Sequence, residues 1–80
     1  MARLVFLGRL EDVAGAPELA CPLAEPTALV DLLLMLPPTL AEALQGPRVR
    51  LALNGTVAES AGLVVTDGDE LAFLPPVSGG

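Results

Sequence analysis

The hydrophobic pattern begins with an apolar strand and a weaker second strand. Residues 4–7 form a continuous apolar run with β-branched and aromatic members, which is typical of a strand covered on both faces. Residues 10–16 lead to a proline and predict a connection with one helical turn. Residues 18–23 alternate roughly between polar and apolar, and Pro22 ends them. Two strands so close in sequence predict a hairpin.

The pattern then changes to helical spacing. Thr27 is in position to cap an apolar helix over residues 28–36, which Pro37-Pro38 ends. The leucines that share the predicted buried face of this helix are Leu29, Leu32, Leu33 and Leu36. Thr39-Leu40-Ala41-Glu42 has the sequence of a capping box. It predicts a second, shorter helix that runs to residue 44 or 45.

The last third of the chain predicts strands joined by tight turns. Residues 48–53 read as a third strand, and Asn54-Gly55 is a strong signal for a two-residue hairpin that returns the chain through Thr56-Val57. The turn Thr66-Asp67-Gly68-Asp69 leads into a final strand over residues 70–74. Between the hairpin and this turn we expect a loop.

This order of elements predicts an α+β fold. A helix after one hairpin, followed by further strands, favours a β-grasp (ubiquitin-like) arrangement, in which a mixed sheet wraps round one main helix. The first and last strands then pair at the centre of the sheet. The loop before the last turn spans residues 58–65 in this scheme.

One face of the predicted sheet is left without a helix. It collects five apolar side chains, which are Val5, Leu7, Val57, Ala72 and Leu74. We predict that they form an interface with a protein partner, because burial at about 25 cal/mol per Å² of apolar area would supply several kcal/mol. The alternative is that they are ordinary scattered surface hydrophobes.

The length of 80 residues predicts a single domain over residues 1–80, with a flexible C-terminal tail over 75–80. Hydrophobic residues reach 52%, yet Phe6 and Phe73 are the only aromatics, so the core must consist of Leu, Val and Ala. Some apolar surface must remain exposed, which again favours a protein partner. The Leu-rich run over 29–36 is too short for a membrane span. Met1-Ala2-Arg3 precedes only a short apolar run, so we expect no leader peptide. We therefore expect a cytoplasmic protein.

The charges point away from several function classes. Ten acidic residues stand against four arginines, with no lysine or histidine, and the formal net charge is −6. Nucleic acid and anionic membranes are therefore excluded as expected partners, and a protein with a basic patch is favoured. Without histidine or lysine the chain lacks the commonest general base and the Schiff-base nucleophile, so we do not expect it to be an enzyme by itself.

The remaining polar candidates indicate structural roles. Cys21 is the only cysteine, which excludes an internal disulfide and fits a reducing compartment. No basic residue is near it in sequence to lower its pKa, so we expect a buried structural thiol instead of a reactive one. Asp67, Asp69 and Glu70 are typical of a turn and lack the further ligands of a calcium loop. We therefore expect neither a metal nor a bound cofactor.

The C-terminal tail, residues 75–80, is the strongest candidate for chemistry. Pro75 and Pro76 lack N–H donors and cannot extend a sheet, and the chain then ends in Val77-Ser78-Gly79-Gly80. Such small residues allow a flexible tail to thread its carboxylate into a narrow channel of another protein. That carboxylate can be activated as an acyl-adenylate and passed to a sulfur or another nucleophile. The alternative is an ordinary disordered terminus.

The ending from Thr66 to Gly80, with Pro26-Thr27 before the helix and Leu53-Asn54 before the hairpin, resembles the small subunit of molybdopterin synthase, a ubiquitin-like sulfur carrier. The resemblance implies that an activating partner adenylates Gly80 with ATP, and that Gly80 then becomes a thiocarboxylate. The tail from Pro76 to Gly80 would enter a pocket of the large catalytic subunit, within a heterotetramer. There it would deliver sulfur to cyclic pyranopterin monophosphate in molybdenum cofactor biosynthesis.

The resemblance also bears on the predicted interface. In that family the contact with the large subunit uses apolar residues that match Leu7, Val57 and Leu74. Two positions depart from the family pattern: Glu11-Asp12 stands where many members carry an Arg-Glu pair, and Leu74 stands where an aromatic is common.

Three alternative functions stay open at this point. One is a sulfur carrier for thiamine or cysteine synthesis or for tRNA thiolation. Another is a ubiquitin-like modifier joined to lysines, because the same acyl-adenylate can pass to an amine. The third is a non-covalent binding module in which Gly79-Gly80 is incidental.

Overall fold

A mixed sheet forms the framework of the protein, of which a computed structural model describes residues 1–76. Its strands are β1 (Ala2–Phe6), β2 (Glu18–Cys21), β4 (Arg50–Leu53), β5 (Thr56–Ala58) and β7 (Glu70–Leu74). They lie in the order β2-β1-β7-β4-β5. A separate antiparallel pair joins β3 (Thr27–Ala28) to β6 (Val64–Val65). The helices in the described part are α1 (Arg9–Ala14), α2 (Leu29–Leu34) and α3 (Pro38–Leu44).

The first and last strands are neighbours at the centre of the sheet. β1 and β7 run parallel, and Phe6 lies opposite Phe73 in the register. β2 and β4 pair antiparallel with the outer sides of this central pair, and β5 completes the edge. The predicted β-grasp (ubiquitin-like) fold with its mixed sheet is confirmed, and in place of one main helix the sheet packs against the short helices α1, α2 and α3.

The core lies between one face of the sheet and the helices. Leu4 and Phe6 of β1 and Leu71 and Phe73 of β7 are almost fully buried. The helical residues that are buried with them are Leu10, Leu29, Leu32, Leu33, Leu40 and Leu44. Cys21 is also buried, as expected for a structural thiol. All three helices contribute to this one cluster, so no helix of residues 1–76 covers the opposite face of the sheet.

The predicted cap of the main helix is wrong. Thr27 lies in β3 opposite Val65, and its hydroxyl donates to the carbonyl of Glu25 at 2.9 Å. Ala28 occupies the N-cap position without a side-chain cap, and the Leu29 N–H donates to the Leu63 carbonyl at 2.9 Å. The chain around Leu63 therefore supplies the hydrogen bond that a Thr27 cap would have made. This also corrects the expected loop over 58–65, since β6 lies within it.

The second helix begins differently from the capping-box prediction. α3 starts at Pro38, with Pro37 in the N-cap position and no side-chain cap. Proline suits the first helical position because it lacks the N–H that would otherwise have no partner there, so Thr39 lies inside the helix. The third strand starts at Arg50 instead of residue 48, because the Val49 N–H closes a turn on the Gly46 carbonyl at 3.1 Å.

The predicted hairpin between β4 and β5 is present. Asn54 and Gly55 both have positive φ, 50° and 85°. This is the combination that two-residue hairpin turns favour. No helix in the described part of the chain is long and apolar enough to cross a membrane.

Candidate functional site: the outer face and the tail exit

The helix-free side of the sheet, here called the outer face, consists of alternating residues from all five strands. Its members are Glu18, Ala20, Arg3, Val5, Leu7, Glu70, Ala72, Leu74, Arg50, Ala52 and Val57. Leu7 extends β1 by one residue, because its N–H donates to the Phe73 carbonyl at 3.1 Å. All five residues predicted as an interface therefore share this face. Their contact with a partner stays a prediction.

An apolar row crosses the middle of the outer face. Val5 lies opposite Ala72, Ala72 opposite Ala52, and Ala52 opposite Val57. The two alanines are short, so a partner surface can approach the backbone of the central strands closely. Val57 is 70% exposed at the edge of the sheet. These apolar side chains face water in the free protein, and a partner that covers them would gain free energy from their burial.

A second apolar pair lies nearer the tail. Leu7 and Leu74 end the parallel strands β1 and β7, and Leu74 lies opposite Arg50 of β4. Leu7 is 42% exposed and Leu74 is half-buried. Pro75 and Pro76 follow Leu74 directly. The apolar surface therefore continues without a break to the point where the tail leaves the sheet.

A close contact holds the base of the tail. Gly8 has φ 56° and ψ −134°, a conformation that residues with a Cβ avoid. A Cβ placed there would lie only 2.7 Å from Cγ of Pro75. Glycine at this position thus leaves room for Pro75 against the end of β1. The predicted tail residues Val77, Ser78, Gly79 and Gly80 lie outside the described residues, and only Pro76 of that set is described.

Ion pairs lie beside the apolar row, at the end of the outer face that is farther from the tail. The Arg3 guanidinium pairs with the Glu70 carboxylate on the neighbouring strand, and its Nε lies 3.9 Å from the Glu18 carboxylate. The hydrogen bond and charge of Glu70, with a smaller contribution from Glu18, raise the pKa of Arg3. These pairs are exposed, so they add little to stability and instead define a polar margin for the face.

The turn before β7 is built by its own acidic residues. The Asp69 carboxylate accepts from the Asn54 side chain at 2.9 Å and from the Thr66 N–H at 2.8 Å and hydroxyl at 3.0 Å. These hydrogen bonds, with that of Asn54 the largest contribution, lower the pKa of Asp69. Asn54 in turn accepts from the Glu70 N–H at 2.8 Å. Asp67 pairs with the N-terminal ammonium group.

These contacts fit the turn chemistry predicted for the three acidic residues. Each carboxylate has a partner within the fold: Asn54 and Thr66 for Asp69, the N-terminus for Asp67, and Arg3 for Glu70. Within residues 1–76, no cluster of three potential metal-ligating side chains is present.

The sequence analysis did not predict that Arg50 and Ala52 belong to the outer face. The alternation over residues 48–53 does place Arg50 and Ala52 together on one side of their strand. It does not show that this strand lies next to β7, which only the long-range pairing determines. A cleft of about 730 Å³ between residues 47–51 and 57–61, with Pro76 at its rim, was likewise not predicted.

The family model of ThiS matches residues 4–80, which is nearly the whole chain. This protein belongs to the ThiS family. None of the curated proteins matches it.

Solved structures similar to this ThiS-family protein include members with different roles. SAMP1 from Haloferax volcanii is 27% identical with a TM-score of 0.79, covering 99% of this chain and 98% of that one. ThiS, the thiamine biosynthesis protein of Geobacter metallireducens, is 26% identical with a TM-score of 0.56, covering 98% and 99%. Subunit 1 in the complex of subunits 1 and 2 of the molybdopterin-converting factor from Helicobacter pylori shares the fold at 22% identity, with a TM-score of 0.65 and coverage of 99% and 97%.

Together, the family match and these structures show that the protein has the ThiS-like fold of ubiquitin-like sulfur carriers and modifiers. The coarser part of the predicted function is thus confirmed. The choice among molybdopterin, thiamine and protein-modifier branches is a separate matter.

Proposed function

We propose that this protein is the sulfur-carrying small subunit of molybdopterin synthase. The Gly80 carboxylate attacks the α-phosphorus of ATP on an activating enzyme, and pyrophosphate leaves. Hydrosulfide (HS⁻) supplied by that system then attacks the acyl carbon of the adenylate, displaces AMP and loses its proton, which produces a C-terminal thiocarboxylate. In the large subunit two thiocarboxylate chains donate one sulfur each to cyclic pyranopterin monophosphate, and water attack on each acyl carbon returns Gly80 to its carboxylate.

The observation that carries the proposal is the continuity between the outer face and the tail. Leu74 belongs to the apolar surface and is the last residue of β7, and Pro75 and Pro76 follow it. A partner that covers the outer face is therefore positioned next to the start of the tail. Docking would set the reach of the Gly80 carboxylate, and such positioning is a major part of catalysis between two bound groups.

The molybdopterin branch is supported by two further observations. The Helicobacter pylori subunit 1, which has the same fold, forms a complex with subunit 2 of its molybdopterin-converting factor. The ending Pro75-Pro76-Val77-Ser78-Gly79-Gly80 resembles that of the small subunits of molybdopterin synthase. We therefore propose a large catalytic subunit as the main partner, in a heterotetramer.

Catalysis is assigned to the partners. The chain has no histidine or lysine. Within residues 1–76, the acidic residues nearest β7 already have structural partners. In this proposal ATP binds the activating enzyme, and this chain carries the reacting group without binding a cofactor of its own.

A second candidate function is that of a protein modifier. It is favoured by the similarity to SAMP1, the small archaeal modifier protein 1 of Haloferax volcanii, which has a higher identity and TM-score than the Helicobacter subunit. The acyl-adenylate would then pass to a lysine amine of a target. Because this chain contains no lysine, copies of it could not be joined to one another through lysine side chains. Modification of targets by single copies would be the expected product.

The test is reconstitution with the activating enzyme and the large subunit of the same organism. Intact-mass spectrometry after incubation with ATP and a sulfur source should show one terminal oxygen replaced by sulfur. The product should then convert cyclic pyranopterin monophosphate to molybdopterin stoichiometrically when the large subunit is present. Sulfur loading without molybdopterin formation, together with conjugates on lysines of other proteins, would favour the modifier instead.

A further inference from the structure

Two of the four arginines of this acidic chain, Arg3 and Arg50, lie on the outer face, whereas Arg48 lies just before β4 and Arg9 lies in α1. Arg3 lies at the end away from the tail and is paired with Glu70 and Glu18. Arg48 and Arg50 lie at the other end, where β4 begins, and neither forms an ion pair with any residue of 1–76. In a protein with a net charge of −6, these two guanidinium groups thus have no carboxylate partner within residues 1–76, and Arg9 of α1 has none there either.

Both arginines line the cleft of about 730 Å³. The last pair of the β4–β5 ladder at this end is Leu51 with Ala58, and the two segments separate beyond it. On the other side, Pro75 and Pro76 have no N–H to donate to the start of β4. Among residues 1–76, no further strand pairs with the chain before Arg50, and Pro76 lines the cleft there.

The two ends of β7 carry opposite charges. The turn at its start holds Asp67, Asp69 and Glu70, whereas Arg50 lies opposite its last residue, Leu74. A five-residue strand is about 17 Å long. This exceeds the screening length of about 8 Å at physiological ionic strength, so a partner meets the two ends as separate charged regions.

We infer that Arg48 and Arg50 form a recognition site for an acidic segment of the large catalytic subunit, at the mouth of the channel that receives the tail. This inference rests on the proposed function, because it requires a partner with a channel for the tail. Guanidinium groups bind carboxylates with paired, charge-assisted hydrogen bonds. Carboxylates at the mouth of the channel would meet the cleft at the moment when the tail enters.

The position of the cleft next to the outer face supports an acidic segment of the partner as its ligand. Val57, which ends the apolar row of the outer face, also lines the cleft, so one partner surface can cover both. Such charges fix the orientation of docking and raise the association rate more than they raise affinity. Glu59 lies on the opposite wall and opposes an acidic ligand, but the two arginines leave an excess of positive charge.

The test uses the full-length protein and measures association with the large subunit at low and high salt, with the activating enzyme as a comparison. A loss of binding confined to the activating enzyme would overturn the inference. Arg48→Gln/Arg50→Gln should weaken binding about tenfold or more at low salt, mainly through slower association. Arg48→Lys/Arg50→Lys should retain most of the association rate. Glu59→Gln should bind faster than the wild type, because it removes the opposing charge.

The matched control is Leu34→Glu/Met35→Glu, which makes the same change in net charge on exposed residues at the end of α2. It should bind within about twofold of the wild type, since it changes no residue of the cleft. An equal loss in this control would overturn the inference, because net charge alone would then explain the effect. Unchanged or faster binding of the double glutamine variant would also overturn it.

Two further outcomes separate the possible failures. If the double glutamine variant loses binding only when ATP is present, the arginines contact the nucleotide and the inference is wrong. If the wild-type protein binds neither partner and gains no sulfur, the proposed function itself fails. The wild-type assay is therefore run first.

Discussion

Phe6 and Phe73 stack across the parallel pair of central strands, with ring centroids 5.7 Å apart and planes inclined by 14°. They are the only aromatic residues of the chain, and each is about 1% exposed. The strand that carries the tail is thus fixed to the first strand by the largest side chains of the core. Leu74 and the tail follow Phe73 directly.

The Phe73 contact should dominate the stability of β7. Phe73→Ala should lower the free energy of unfolding by about 3–5 kcal/mol, because it leaves a cavity at a fully buried position. Val57→Ala, at a position 70% exposed, should change it by no more than about 0.5 kcal/mol. Urea denaturation followed by circular dichroism measures both. Equal effects of the two variants would contradict the assigned core.

Leu74→Glu tests the outer face as an interface. In the free protein Leu74 is only half-buried and lies outside the core formed by residues 1–76, so the fold should persist. In the complex the carboxylate would be buried without a partner, and affinity for the large subunit should fall at least about tenfold. Titration calorimetry measures the change, with Leu34→Glu as the control on the helical side. Unchanged affinity of the Leu74 variant would show that the partner binds elsewhere.

Deleting Gly80 tests the proposed chemistry. The deletion shortens the reach of the tail by up to about 3.6 Å, which is enough to remove the carboxylate from an attacking position. ATP–pyrophosphate exchange and sulfur loading should stop, whereas binding to the activating enzyme should change little because the outer face is intact. A truncated chain that exchanges pyrophosphate as well as the full chain would rule out Gly80 as the reacting residue.

Asp69 should make the stability of the turn sensitive to acid. Its pKa is lowered in the folded protein by Asn54 and then Thr66, so the stabilisation is present above the unfolded value of about 3.9. It is lost as the pH falls through the lower folded value. The difference in unfolding free energy between the wild type and Asp69→Asn should therefore be largest near neutral pH and shrink below about pH 4.

The matching variant for this pH dependence is Asn54→Ala, which removes the largest contribution to the lowered pKa of Asp69. It should reduce the acid-sensitive part of the stability when unfolding is followed from pH 7 to pH 2. A difference between the wild type and Asp69→Asn that grows as the pH falls would contradict the assignment.

Much of the fold and the candidate site follows from local patterns. Period-two alternation assigns Val5 and Ala72 to one face of their strands, because successive side chains of a strand point to opposite sides. Asn54-Gly55 predicts its hairpin because both residues tolerate positive φ. The residues of the tail, two prolines followed by Val77-Ser78 and then Gly79-Gly80, are also read directly from the sequence, and the role of Gly80 stays a prediction.

The tertiary structure decided the features that depend on contacts between distant parts of the chain. Thr27 does not cap its helix, because Val65 pairs with it and the chain near Leu63 supplies the hydrogen bond. Arg50 and Ala52 join the outer face only because β4 pairs with β7. Side-chain periodicity is set by the backbone geometry of a single element, whereas the neighbours of that element are set by hydrogen bonds between segments far apart in sequence.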